Sequence, residues 1–416
     1  MTTPSRRILL AGDGNFLAHI SRLVEIGRAL EAQGADEVVL AASGPYTRLA
    51  TQAGFRVVPV STAPGDFTLE VVRQMGLMPT KAIHDVIAPA MRDDVKVLEA
   101  ERPDLVVCDM RWTMRSAAER VGVPLVSITN AFWTRYCPLP LPAPPGHALT
   151  KVAGHRIARQ VATWMKPGLT RWAARPFRQA RAEHGLDPAG ALDLYHLVEG
   201  DLVLLADFPE FGHTTQLPDH YHYVGPILWS SSWEGWEPTP WLRDRDRSRP
   251  LVYVTMGSTG DPHVFREIAE RFGHGPVDVV MTTAGMDFDA TGLPPNVHTL
   301  DYGPGHLLME EAAVVVNHGG NGTINQAILA GRPVVGVPTH LDQSINLAQV
   351  EALGFGHLID PGRRLGARLT DAVHAVLADP SYRMAAERLQ AAAQRYGGAD
   401  EAARRILGLL ESRSVA

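Results

Sequence analysis

The sequence predicts an α/β protein of two doubly wound domains, on three observations. Both halves alternate short runs of Val, Ile and Leu with amphipathic helical patterns. Those runs lack polar alternation, as parallel strands covered on both faces do. A chain of 416 residues exceeds one ordinary core and suits two domains of about 200 residues each.

In order along the first half, the apolar runs predict strands at Arg7–Ala11, Glu37–Ala41, Arg56–Val60, Leu105–Cys108, Leu125–Ile128 and Leu202–Leu205. In the second half they fall at Leu251–Thr255, Val277–Thr282, Val297–Thr299, Ala313–Val316 and Val334–Val337. Between the halves, Tyr223–Pro250 is rich in Pro, Ser, Trp and charge and has no period, which marks a junction. The expected organisation is a first domain over 1–225, a linker over 226–249, a second domain over 250–395 and a C-terminal helix over 396–416 that packs back toward the first domain.

Composition narrows the function classes. Apolar residues make 45% and charged residues 20%, so the chain is globular. The net charge of −6 with dispersed basic residues gives no nucleic-acid footprint. Cys108 and Cys137 make no disulfide framework and point to a reducing, cytoplasmic setting. The opening "MTTPSRRILLAGDGNF" reads as a first strand and not as a signal peptide. No apolar run approaches the ~20 residues that span a bilayer.

Two stretches carry chemistry. "AAVVVNHGGNGTINQAILAG" is a buried strand, a glycine-rich turn and a helix. Glycines let backbone amides approach an anion, and a helix N-terminus favours negative charge. Thr323 stands where it caps the helix or meets a phosphate, and His318 ends the strand. The pattern is neither the dinucleotide fingerprint nor the P-loop. The second stretch, "RRILLAGDGNFLAHISRLVEIGRALEAQG", reads as strand, glycine loop and helix with Ile20, Leu23, Val24 and Leu30 on its apolar face. His19 lies at that helix start, where the dipole disfavours imidazolium and suits a proton acceptor.

His318–Gly356, with its His-Gly-Gly, Gly-Thr, Ala-Gly-x-Pro and Asp-Gln elements, closely resembles the donor signature of family 1 glycosyltransferases. That resemblance implies the GT-B fold, two Rossmann-like domains facing each other across a cleft. It implies that His318, Gly320, Gly322 and Thr323 hold a donor diphosphate, with Ser258 touching it from "TMGST". Asp342 and Gln343 would bind sugar hydroxyls and Tyr302 would stack on the base. Gln326 stands where uridine-using relatives carry a ribose-gripping glutamate. This shifts the expectation from a UDP-sugar modestly toward a dTDP-sugar, whose ribose lacks the 2′-hydroxyl. His19 matches the family's base, and Asp109, after its strand, matches the aspartate that orients and stabilises it; Asp13 and Asp66 are the competing carboxylates.

The implied reaction is a single inverting displacement onto an acceptor hydroxyl, with no metal and no cofactor beyond the nucleotide-sugar. "DRD" (Asp244–Asp246) and "DFD" (Asp287–Asp289) are read as solvated charge. Phe67, Met75, Met78, Trp112, Phe132, Trp133 and Tyr136 form an apolar set that suits a greasy aglycone such as a polyketide or other secondary metabolite, or plain core. Arg111, Arg115 and Arg135 are expected as surface arginines, with an acidic acceptor as the alternative. The expected partners are a small-molecule acceptor and the donor, with no nucleic acid and no integral membrane segment, in a monomer or homodimer. A nucleotide-sugar epimerase of the same fold and a non-catalytic helper protein are the rival functions; transfer at a membrane surface is a variant of the first.

Overall fold

The computed structural model describes residues 6–73, 78–142, 148–229, 236–257, 261, 263–286 and 288–414. The chain forms two compact units, one of Met1–Pro140, Thr163–Trp229 and Tyr396–Ala416 and one of Leu141–Ala162 and Ser230–Arg395. Leu141–Ala162 thus groups with the second unit and not with the 1–225 segment in which the sequence placed it.

The first unit holds strands β1 (Arg7–Gly12), β2 (Glu37–Ala41), β3 (Arg56–Val58), β4 (Leu105–Asp109), β5 (Leu125–Thr129), β6 (Leu202–Leu205) and β7 (Tyr221–Tyr223). They form one sheet in the order β3-β2-β1-β4-β5-β6-β7, with every pair parallel. Ile8 and Leu10 face one apolar layer with Leu23 and Val24, while Leu9 and Ala11 face another with Leu98 and Met114. Burial on both faces is why these strands are continuous apolar runs; each fully buried Leu or Ile contributes about 1.5–3 kcal/mol. The helix Ala399–Ser414 adds Ala402, Ala403, Ile406 and Leu410 to the layer built on Leu17–Ala32.

The second unit repeats the plan with β8 (Leu251–Thr255), β9 (Asp278–Thr282), β10 (Val297–Leu300), β11 (Val314–Asn317), β12 (Val334–Gly336) and β13 (Gly356–Leu358). Their order is β10-β9-β8-β11-β12-β13, again all parallel. In each unit the chain reverses its direction of travel across the sheet at the first strand, between β1 and β4 and between β8 and β11. Ligands bind in open α/β sheets beyond the strand carboxyl ends at such switch points.

Sequence analysis did not identify β7 and β13. They read Tyr-His-Tyr and Gly-His-Leu and sit at sheet edges with one neighbour each, so they need no two-faced apolar run. The linker contains a short helix, Pro240–Asp244, whose N-cap Thr239 accepts from the Leu242 amide. Asp66 lies in the first turn of the helix Gly65–Arg73.

Candidate active site

In the first unit, β1 ends at Gly12, and a helix begins at Leu17 after a tight loop. A side chain at Gly14 would place its Cβ 2.3 Å from the Ser43 carbonyl oxygen, so the loop closes only with glycine there. His19 is the third residue of the helix Leu17–Ala32. Asp109 is the last residue of β4, whose backbone pairs with Gly12 of β1. Neighbouring strands therefore bring the two side chains together, with His19 Nδ1 3.0 Å from Asp109 Oδ1. Asp109 is fully buried, while the His19 side chain is 22% exposed. With Nδ1–H donated to the carboxylate, Nε2 is the proton-accepting atom.

Asp109 has a second partner that sequence reasoning missed. Arg22, one turn along from His19, is buried with Nη1 3.3 Å from Asp109 Oδ2. The same guanidinium reaches Asn130 Oδ1 at 3.5 Å, and Asn130 Nδ2 donates to Asp207 Oδ1 at 3.0 Å. The signal was present: a charged residue inside the apolar stripe Ile20-x-x-Leu23-Val24 demands a buried partner. The competing carboxylates are otherwise engaged. Asp13 accepts from the Asn15 amide and Asp66 from the Phe67 amide.

In the second unit, Asn317 ends β11 and pairs with Thr255 at the end of β8. Its Oδ1 accepts from the Gly319 amide at 2.6 Å, and Asn346 Nδ2 donates to the Gly319 carbonyl at 3.0 Å. Gly319 has φ +89°, and a Cβ there would strike Leu347, so this turn requires glycine twice over. Cβ atoms at Gly257 and Gly320 would come within 2.6 and 2.5 Å of the His318 ring. The two glycines leave room for that imidazole. Helix Asn321–Leu329 follows with Gly320 as its N-cap and no side-chain cap. Thr323 is therefore the third helical residue and not the cap, as Gly320 takes the extended cap geometry. A Cβ at Gly322 would meet nothing within 4 Å, so the backbone there stays approachable. Uncapped amides and an open glycine at a helix start make an anion cradle.

His318 is buried, and that burial pushes its imidazole down to about 4; His340 beside it acts in the same direction and Asp342 opposes. His318 is thus a neutral ring at pH 7 and not a cation. His340, also missed, is the N-cap residue of the helix Leu341–Ala352, and its Nδ1 pairs with Asp342 Oδ1. Gln343 is buried and its Oε1 accepts from the Thr339 amide at 2.7 Å. That carbonyl is turned into its own loop, which leaves the partly exposed Asp342 as the more accessible of the pair. Tyr302 is 58% exposed, near Gly285, and Gln326 Oε1 lies against Gly305. Ser258 lies outside the described residues, as do Met75 and Asp287.

The acceptor set is brought together in part. Trp112 packs edge-on to Trp133 at 5.7 Å and lies 5.9 Å from Phe177, and Phe132 tilts against Trp133 at 5.6 Å. Tyr136 packs instead on Tyr221, and the half-buried Phe67 sits on the separate helix Gly65–Arg73. Met78 is half-buried. Arg135 is exposed, as expected of a surface arginine, whereas Arg111 and Arg115 are drawn into the fold. Arg111 is buried and paired with Asp94 at 2.7 Å, and Arg115 donates to the carbonyls of Gly190 and His196. Arg135 bonds His196 and lies 3.7 Å from Asp193. Among the described residues no group of His, Cys, Asp and Glu is placed to hold a metal; Asp244 pairs with Arg243 and Asp289 accepts from Thr291.

Two units, each built on a parallel sheet of this order, make the GT-B fold. The chain belongs to the glycosyltransferase family that includes the PGL/p-HBAD biosynthesis glycosyltransferases. Residues 269–409 match the model of the erythromycin biosynthesis protein CIII-like C-terminal domain. The chain is 32% identical over 384 residues to the PGL/p-HBAD biosynthesis rhamnosyltransferase of Mycobacterium bovis, covering 92% of this chain and 83% of that one. It is likewise 32% identical over 388 residues to a PGL/p-HBAD biosynthesis glycosyltransferase of Mycobacterium tuberculosis, covering 92% and 88%. The calicheamicin glycosyltransferase CalG4 shares the fold, with a TM-score of 0.73 and 22% identity over 98% of this chain and 99% of that chain.

Proposed function

We propose that this glycosyltransferase transfers a sugar, with inversion and without a metal, from a nucleoside diphosphate donor to a hydroxyl of an apolar small molecule. The observation that carries the reading is the His19–Asp109 contact at 3.0 Å, with Asp109 wholly buried. His19 Nε2 takes the acceptor's hydroxyl proton as that oxygen bonds the anomeric carbon. The bond from that carbon to the diphosphate breaks, and its electron pair leaves with the nucleoside diphosphate. Asp109 stabilises the imidazolium formed. The amides at the start of Asn321–Leu329 and the neutral His318 meet the charge on the leaving group. Asp342 addresses sugar hydroxyls, and Tyr302 offers an exposed ring to a base. The base lies in one unit and the helix start that would take the diphosphate in the other.

Gln326 in place of a carboxylate favours a dTDP-sugar over a UDP-sugar. The M. bovis relative is named a rhamnosyltransferase, which supports a deoxyhexose among the sugars to try first. The test is a thermal-shift screen with thymidine and uridine diphosphates and their sugars, followed by transfer assays with apolar phenols and polyketides in the presence of a chelator. Stabilisation by thymidine ligands and chelator-resistant transfer is expected. Greater stabilisation by uridine ligands would reverse the donor assignment. Donor consumption with no acceptor present would return the epimerase reading.

A further inference from the structure

The strongest feature outside the site is a basic, aromatic helix face. From Arg120 to Ala182 the sequence has ten Lys and Arg and no Asp or Glu, in a chain of net charge −6. Within that run the end of the helix Ala148–Ala173 leads into the helix Arg175–Glu183. Trp164 is 83% exposed and Met165 is 43% exposed. Gly168 and Arg171, both exposed, follow Trp164 at helical spacing, so they share its face; Arg175, also exposed, opens the next helix. An exposed tryptophan is costly in water and stable where an apolar body meets a polar boundary. The opposite side is anchored: Ala158 and Ala173 are buried, and Lys166 lies over the Tyr195 ring.

Several other cations of the run are committed inside the fold. Arg181 is bidentate to Glu119, and Arg178 donates to the Arg171 and Leu192 carbonyls. Arg171, on the Trp164 face, and Arg175, at the start of the next helix, remain exposed. A tryptophan and a methionine flanked by arginines, with no carboxylate in the surrounding sequence, is the composition of a helix that lies in a lipid interface. No helix among the described residues is long and apolar enough to cross a membrane, so the contact would be peripheral. Absence of acidic groups selects an anionic surface, since each Arg near it is attracted and nothing in the run is repelled.

We propose that the Trp164–Arg175 face docks this enzyme on an anionic lipid bilayer, where an apolar acceptor also partitions. The surface is independent of the base and donor assignments, so either can fail alone. The experiment is co-sedimentation of the full chain with vesicles of neutral lipid and of neutral lipid with about 30 mol% anionic lipid. Binding to the anionic vesicles, reversed by high salt, is expected. Trp164→Glu, and separately Arg171→Glu with Arg175→Glu, should each weaken it at least about tenfold while leaving melting temperature and turnover of a soluble acceptor unchanged. No binding, equal binding to both vesicle types, or binding indifferent to these changes would overturn the proposal. So would lost turnover in Trp164→Glu with vesicle binding retained, which would place Trp164 in acceptor recognition, or a dimer in light scattering that Trp164→Glu dissolves, which would assign the face to a second copy.

Discussion

Replacing Asp109 by asparagine separates two jobs that one carboxylate performs. Asp109 fixes His19 through Nδ1 and faces the buried Arg22 at 3.3 Å. Asparagine can still bond His19, but it carries no charge and can present an amide donor to Nδ1, which selects the wrong tautomer. In a serine protease the same exchange lowers turnover by about 10⁴-fold, and a loss of roughly 10³–10⁴ is expected here. The second cost is structural. Arg22 is left as an uncompensated buried charge, and breaking such a pair costs about 3–5 kcal/mol. Both side chains are at most 7% exposed, so solvent screening does not shrink that figure. The double change Arg22→Met with Asp109→Asn removes the stranded charge and should regain most of the stability but none of the activity. Denaturant unfolding and steady-state transfer on the two single variants and the double variant measure both terms. Asp109→Asn turning over within about tenfold of the parent would refute the dyad. A double variant no more stable than Asp109→Asn would refute the counter-charge role of Arg22.

Other outcomes follow from the second unit. Gly320→Ala places a Cβ 2.5 Å from the His318 ring, so it should weaken nucleoside diphosphate binding at least tenfold in calorimetry, on the order of the 1.4 kcal/mol that tenfold represents, while leaving the fold intact. His318 has its folded pKa lowered from 6.5 to about 4, so the unfolded chain binds the extra proton between those values. Its contribution is present above pH 6.5 and is lost as pH falls toward 4, worth roughly 3 kcal/mol in all; His318→Gln should flatten that part of the stability–pH curve of the ligand-free protein. Gln326→Glu supplies an acceptor pair for a ribose diol and should shift the ratio of kcat/KM toward UDP-sugars, measured by competition between the two donors.

What the sequence disclosed follows the physics that wrote it. Parallel strands buried on both faces must be apolar throughout, so β1, β4, β8 and β11 were legible, and so were the places of His19 at the helix start after β1 and of Asp109 at the end of β4. Edge strands escape that demand, so Tyr221–Tyr223 and Gly356–Leu358 were not. The turn Asn317–Gly320 was legible because its glycines answer local constraints, an αL backbone at Gly319 and the His318 ring against Gly320. Partnerships between distant residues were not. Arg22 with Asp109, Arg111 with Asp94 and His340 against His318 depend on which strand lies beside which. The contact of Gln343 Oε1 with the Thr339 amide is a local one that no motif announced either.

The most direct measurement is the pair of values, donor affinity and transfer rate, for His19→Ala. The account requires nucleoside diphosphate to bind within about threefold of the parent while single-turnover transfer falls at least about 10³-fold. A variant that keeps its transfer rate would contradict it, because a group other than His19 would then be receiving the acceptor's proton.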